Sequence, residues 1–207
     1  EPLQLRLVST DGGEFSNSYG AHNLFDGSRQ TAYSTICQRN VNVVARIAES
    51  DGGNGPVTLA SATMDAAVDG YTSPVAAALV FAAEELPSTW DTSAFDDFTA
   101  DKYQQYLNER TERGWSHSPF EPVAFLDTLT WDSTTTAVNQ PRTRARFVLV
   151  KLIRARSSNA DNIDVLSFSV CGRSADEDQA VVTPRMAAAA ASSSSSGTDL
   201  VELPSAA

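Results

Sequence analysis

The sequence predicts an all-β fold, a jelly-roll β-sandwich with one inserted helix. Three observations predict it. Apolar residues recur at period two in several short runs, and turn-forming clusters of Gly, Pro, Asn and Asp separate those runs. Only one stretch, near residues 99–113, carries the spacing and end signals of a helix. About eight short strands with few helices and long polar connections fit a sandwich better than a bundle or a parallel α/β sheet.

The first strand is "LQLRLVST", where Leu3, Leu5 and Leu7 alternate with Gln4, Arg6 and Val8. It runs into the turn-rich "TDGGEFSNSYG". In "AHNLFDGSRQTAYST", Leu24 and Phe25 anchor a short helical turn that Asp26 and Gly27 close, because glycine adopts the left-handed backbone at little cost. "VNVVARIAES" and "VTLASATMDAAV" are the next strands, stopped by "DGGNGP" and "DGYTSP". "VAAALVFAAEE" suits helix or strand by composition. Pro74 and Pro87 bracket it closely, and Val75, Leu79, Val80 and Phe81 favour a strand.

The helix lies in "TADKYQQYLNERTERG". Thr99 caps it, Asp101 meets the positive end of its dipole, and Gly114 follows its last turn. Its apolar stripe, Tyr103, Tyr106 and Leu107, is short, so the helix should lie on a sheet as an appendage. "PVAFLDTLTW" and "STTTAV" supply two more strands. In "RARFVLVKLIR" both alternating faces are apolar, Phe147, Leu149 and Ile153 against Val148, Val150 and Leu152, which predicts a strand covered on both sides. "NIDVLSFSV" is expected beside it as an antiparallel neighbour, with Ile163, Val165 and Phe168 inward.

Composition limits the partners. Of 207 residues, 26 are acidic and 15 basic, a net charge of −11, which disfavours nucleic acid and anionic membranes. No apolar run is long enough for a spanning helix, so membrane insertion is not expected. Residues 174–207, with "MAAAAASSSSS", lack core and turn signals and are expected to form a disordered Ala/Ser-rich linker after a sandwich at 1–173. The start at Glu1 without a methionine points to part of a larger multidomain chain. Cys37 and Cys171 lie among apolar residues without metal-ligand spacing. Free thiols are favoured over one bridge, which suggests a reducing, cytoplasmic setting.

The order of these features resembles the galactose-binding-like β-sandwich superfamily, which includes discoidin and coagulation-factor C-type domains, the DOC domains of ubiquitin ligases, and related carbohydrate-binding modules. Ala21, Leu24, Asp26, Gly27, Thr31 and Tyr33 fall on the pattern A-x-x-A/L-x-D-G-x-x-x-T-x-W, with Tyr33 where Trp is usual. The ending "ARFVLVKLIRARSSNADNIDVLSFSVCG" is similar to the superfamily's closing pair of strands. Cys37 stands inside the chain, whereas secreted discoidin domains link their termini, and residues 96–114 read as an insertion. These departures fit an intracellular, DOC-like domain.

The resemblance implies a noncatalytic recognition module. The expected partner is a protein, as in ubiquitin-ligase or scaffold assemblies; the alternative is a glycan, bound with or without calcium. Ligands would meet loops at one end of the sandwich, within Asp11–Tyr19 and Ser28–Gln38, so Phe15, Tyr19, Arg29 and Tyr33 are candidate contacts. Packing beneath the loops is the competing role for the aromatics. Asp26 is a candidate calcium ligand as in some related modules, or simply a turn aspartate. The cations Arg142, Arg144, Arg146, Lys151, Arg154 and Arg156 form either a solvated rim or an edge for an acidic peptide or phosphate, with Arg154 as its contact residue. Sequence motifs of hydrolases, metalloproteases and nucleotide-binding loops are absent, so no catalytic residue is assigned.

Overall fold

The period-two runs become two antiparallel sheets packed face to face. The computed structural model describes residues 2–48, 55–116, 118–140 and 142–173; the expected linker 174–207 lies outside the described residues. The strands are β1 (Pro2–Leu3), β2 (Leu5–Thr10), β3 (Tyr33–Ser34), β4 (Arg39–Ile47), β5 (Val57–Ala66), β6 (Val75–Ala83), β7 (Ala124–Asp127), β8 (Ser133–Ala137), β9 (Arg144–Ala145), β10 (Phe147–Ala155) and β11 (Asp164–Arg173). The one α-helix among the described residues, α1, spans Ala100–Arg113. Eight strands have four residues or more, and β1, β3 and β9 are two-residue additions that the sequence pattern does not announce.

One sheet has the order β1-β11-β5-β8, with β3 also on β11 and β9 on β5; the other runs β2-β4-β10-β6-β7. The expected pairing of the last two long strands is therefore corrected. β10 lies between β4 and β6, while β11 lies in the opposite sheet. The polar segment between them crosses from sheet to sheet, as does the connection from β5 to β6 beside it. Backbone bonds join the two crossings, from Arg156 N–H to Pro74 C=O (2.8 Å) and from Asp164 N–H to Ser73 C=O (2.7 Å). Ile163 just ahead of β11, and Val165 and Phe168 within it, are all buried despite their mixed parity, because a register shift between Val165 and Ser167 takes up one residue.

The principal core fills the space between the sheets, with Leu24, Val41, Val43, Met64, Val80, Val148, Val150, Leu152 and Phe168 among its buried members. A second core covers the outer face of the β4-β10-β6-β7 sheet. There Leu79, Phe81, Phe125, Leu149 and Ile153 meet Tyr103 of α1, with Phe95, Phe98, Tyr106 and Leu107 at its margin. This is why β6 is buried at every position and why both faces of β10 are apolar.

α1 is placed by its own end signals and its short stripe. The Thr99 hydroxyl accepts from Lys102 N–H, and Gly114 N–H returns to Arg110 C=O. Tyr103 stacks on Phe125 at 5.4 Å, so the helix is held by aromatic contact with β7. No helix among the described residues is long and apolar enough to cross a membrane.

Candidate functional site

The strand registers bring four connections to one end of the sandwich: 11–38, 67–74, 128–132 and 156–163. Both described ends of the chain, at β1 and at the close of β11, lie towards the other end, since Pro2 pairs with Cys171 and Arg173 with Thr58.

Two buried polar side chains staple this loop end. Asp164, 2% exposed, accepts from the Ser34 hydroxyl (2.6 Å), the Asn162 amide (2.6 Å) and the Ser73 backbone N–H (3.0 Å). One carboxylate thus fixes three of the four connections. Asn23 does the same within the longest, donating to the carbonyls of Ser18 and Ala32, each at 2.8 Å.

Arg156 secures the fourth. Its guanidinium donates to the Trp131 carbonyl (3.1 Å) and to Asp132 Oδ1 (3.0 Å). The clamp fixes the backbone of Trp131 while its indole stands 71% exposed.

Tyr33 is corrected as a ligand contact, because it is fully buried. Its hydroxyl shares a bond with Thr10 Oγ1 (2.9 Å) and donates to Gly13 C=O (2.8 Å), so it supports the 11–15 loop from beneath. Burial pushes this phenol up to about 12. Gly12 is needed here, since a Cβ would lie 2.7 Å from the Tyr33 hydroxyl and 2.4 Å from Val41.

Above Tyr33, Phe15 N–H bonds Ser34 C=O and Ile36 N–H bonds Gly12 C=O, both at 2.9 Å. This short ladder presents Phe15 (68% exposed) and Ile36 (62%) to solvent. Tyr19 is half-buried and meets Tyr71 edge to face at 6.0 Å, joining the 11–38 and 67–74 connections.

The remaining candidates do not converge there. Arg29 is exposed and lies 3.9 Å from Asp65, on β5 of one sheet, whereas exposed Arg154 is in β10 of the other, opposite Arg39. Asp26 has spent both carboxylate oxygens on its own turn, accepting from Ser28 N–H and from the Thr31 hydroxyl, each at 2.7 Å. Gly27, at φ +71°, completes that turn. No group of three His, Cys, Asp or Glu converges among the described residues.

The run of cations is not one surface. Arg144 pairs with Glu84 (3.7 Å), Lys151 with Asp96 (2.5 Å) and Arg156 with Asp132, in three different places. Trp131 and Ile36 were not singled out by sequence, and Arg156 was read only as one of a run of cations. Only the Trp-Asp pair just ahead of a polar strand offered a signal, an aromatic at a turn.

No family model matches the chain, and no curated protein matches it. Solved structures do. The C-terminal domain of a chitobiase from Bacteroides fragilis is 14% identical, with 84% of this chain and 99% of that one covered at a TM-score of 0.53. The family 32 carbohydrate-binding module of Streptococcus pneumoniae EndoD is 11% identical over 83% and 99%, also at 0.53. The family 32 module of Clostridium perfringens NanJ, solved in complex with galactose, is 10% identical over 81% and 93%, at 0.52. At such identities the likeness is one of fold. The fold of this chain is the galactose-binding-like β-sandwich that the Ala21–Tyr33 pattern and the closing strands implied.

Proposed function

We propose that this domain is a noncatalytic glycan-binding module whose ligand meets the loop end bearing Phe15, Tyr19, Tyr71 and Trp131. The carrying observation is Trp131, an exposed indole on a backbone that Arg156 clamps. A sugar ring stacks its C–H face on an aromatic plane, and binding is stronger when the backbone that carries that plane is already held, because less motion is lost on association. The structural neighbours support this reading, since their descriptions name carbohydrate-binding modules, one of them with galactose. They offer no support for a DOC-like protein partner or a ubiquitin-ligase role. The domain serves as a recognition part of a larger chain.

The test is a titration of the whole chain with galactose, N-acetylgalactosamine and glucose, followed by isothermal calorimetry. A saturable response to a sugar, lost in Trp131→Ala, is expected. A response that persists in that variant would move the site elsewhere, and no response to a broad glycan panel would end the reading.

A further inference from the structure

We propose that the opposite end of the sandwich holds a second binding site, a cleft for a small saccharide bearing a carboxylate. This site is independent of the loop-end reading and shares no residue with it. The cleft has a volume of about 610 Å³, within the roughly 300–1,000 Å³ typical of small-molecule sites. Ala82, Ala83 and Val123 give it an apolar lining suited to the C–H face of a pyranose ring, and Glu84, Glu85, Arg142 and Arg144 are its charged lining residues.

Arg142 is the distinctive residue. It is exposed, and its backbone is left-handed at φ +60°, a conformation that costs a long side chain energy and is found where structure serves a function. Arg144 and Glu84 are within 3.7 Å of each other, whereas among the described residues neither Arg142 nor Glu85 has an ion-pair partner. The charged lining therefore offers one uncommitted guanidinium and one uncommitted carboxylate. A guanidinium fork takes a carboxylate through two parallel bonds, and a carboxylate accepts from sugar hydroxyls. The four formal charges cancel, so a singly charged ligand rich in hydroxyl donors fits, whereas a phosphate polyanion would be repelled by Glu84 and Glu85. A uronic acid has this chemistry.

The experiment uses the whole chain, isotopically labelled, titrated with glucuronate and galacturonate and, in parallel, with galactose, acetate and inorganic phosphate. The uronates are expected to shift the amide signals of Ala83, Glu84 and Thr143 in a saturable way. Arg142→Gln should weaken them by roughly tenfold, as expected for losing a charge-assisted contact, while leaving the melting temperature and any galactose response unchanged. Arg142→Gly, which relieves the backbone strain, should lose the same binding in a chain at least as stable. Uronates that leave the cleft signals unmoved, an unchanged affinity in both variants, or phosphate binding as tightly as the uronates would each overturn the proposal. Absence of a galactose response alongside an intact uronate response would count against the loop-end reading only.

Discussion

The Lys151 ammonium sits 2.5 Å from Asp96 Oδ1 in the middle of a strand whose neighbouring residues are apolar, and Lys151 itself is 1% exposed. The same nitrogen donates to Thr92 Oγ1 at 3.1 Å, and Thr92 donates onward to Asn42 Oδ1 at 2.7 Å. A cation of β10 thereby ties the segment after β6 down over the outer face of its sheet. Removing Asp96 leaves the ammonium buried with only a hydroxyl partner, whereas removing the charge itself leaves no such debt. Asp96→Ala should therefore cost about 2 kcal/mol, discounted because the carboxylate is half-exposed, and Lys151→Met should stay within about 1 kcal/mol of the parent. Urea unfolding midpoints check the order; a Lys151→Met chain less stable than Asp96→Ala would refute this account.

Asp164 has the larger structural role at the loop end. Three donors from three connections converge on it, and its burial leaves them no water as a substitute. Asp164→Ala should cost about 3 kcal/mol, and Ser34→Ala, which removes one of the three bonds, about 1 kcal/mol. Amide hydrogen exchange adds a sharper readout. In Asp164→Ala, exchange should speed up at Ser73 and in the 156–163 connection before it does in β10, whereas uniform acceleration would mean that the carboxylate supports the whole fold equally.

The elements were legible because they obey local rules. The period-two pattern marked β2, β4 and β5, the Thr99 cap and Gly114 bounded α1, and the two apolar faces of β10 announced that something covers it on both sides. Pairing was less legible. β10 and β11 follow each other in sequence, and only the crossing tied by Arg156, Pro74, Ser73 and Asp164 puts them in different sheets. The proposed site was legible in outline, since the motif residues lie in the 11–38 connection at the loop end. Its individual contacts were not, because burial depends on what packs above a residue. Tyr33 and Phe15 are both loop aromatics, yet one is a pillar and the other is exposed.

The two thiols should remain unpaired. Thr35, two residues before Cys37, is bonded to Ile163 at the loop end, while Cys171 pairs with Pro2 and Ser61 near the other. From Ile163 to Cys171 the strand covers roughly 25 Å at about 3.3 Å per residue, far beyond the ~7 Å limit on Cα separation in a disulfide. Mass spectrometry after alkylation of the unfolded chain should find two modified cysteines without prior reduction. A reducing agent should leave the melting temperature unchanged. An intramolecular Cys37–Cys171 peptide from freshly purified protein would contradict the arrangement of the sheets themselves.

Alkali should unfold the domain through its buried phenols. The Tyr33 phenol is raised from 10.0 to about 12, chiefly by burial, and Tyr103, Tyr106 and Tyr71 are also raised by burial first. A raised value means that the fold favours the neutral phenol. The stability this contributes is fully present below pH 10, where the unfolded phenol is also neutral, and is lost as pH rises from 10 through about 12. Tyrosinate absorbance and circular dichroism followed together between those limits should change in one cooperative step, because a buried phenol ionises only as its surroundings open. Tyr33→Phe loses the bonds to Thr10 and Gly13, so it should cost about 1 kcal/mol at neutral pH. The same variant should fall less steeply with pH above 10, having one buried phenol fewer to ionise. Smooth ionisation of all the tyrosines near pH 10 with the far-ultraviolet signal intact would show that Tyr33 is open to solvent, and would remove its part in supporting the loop that carries Phe15.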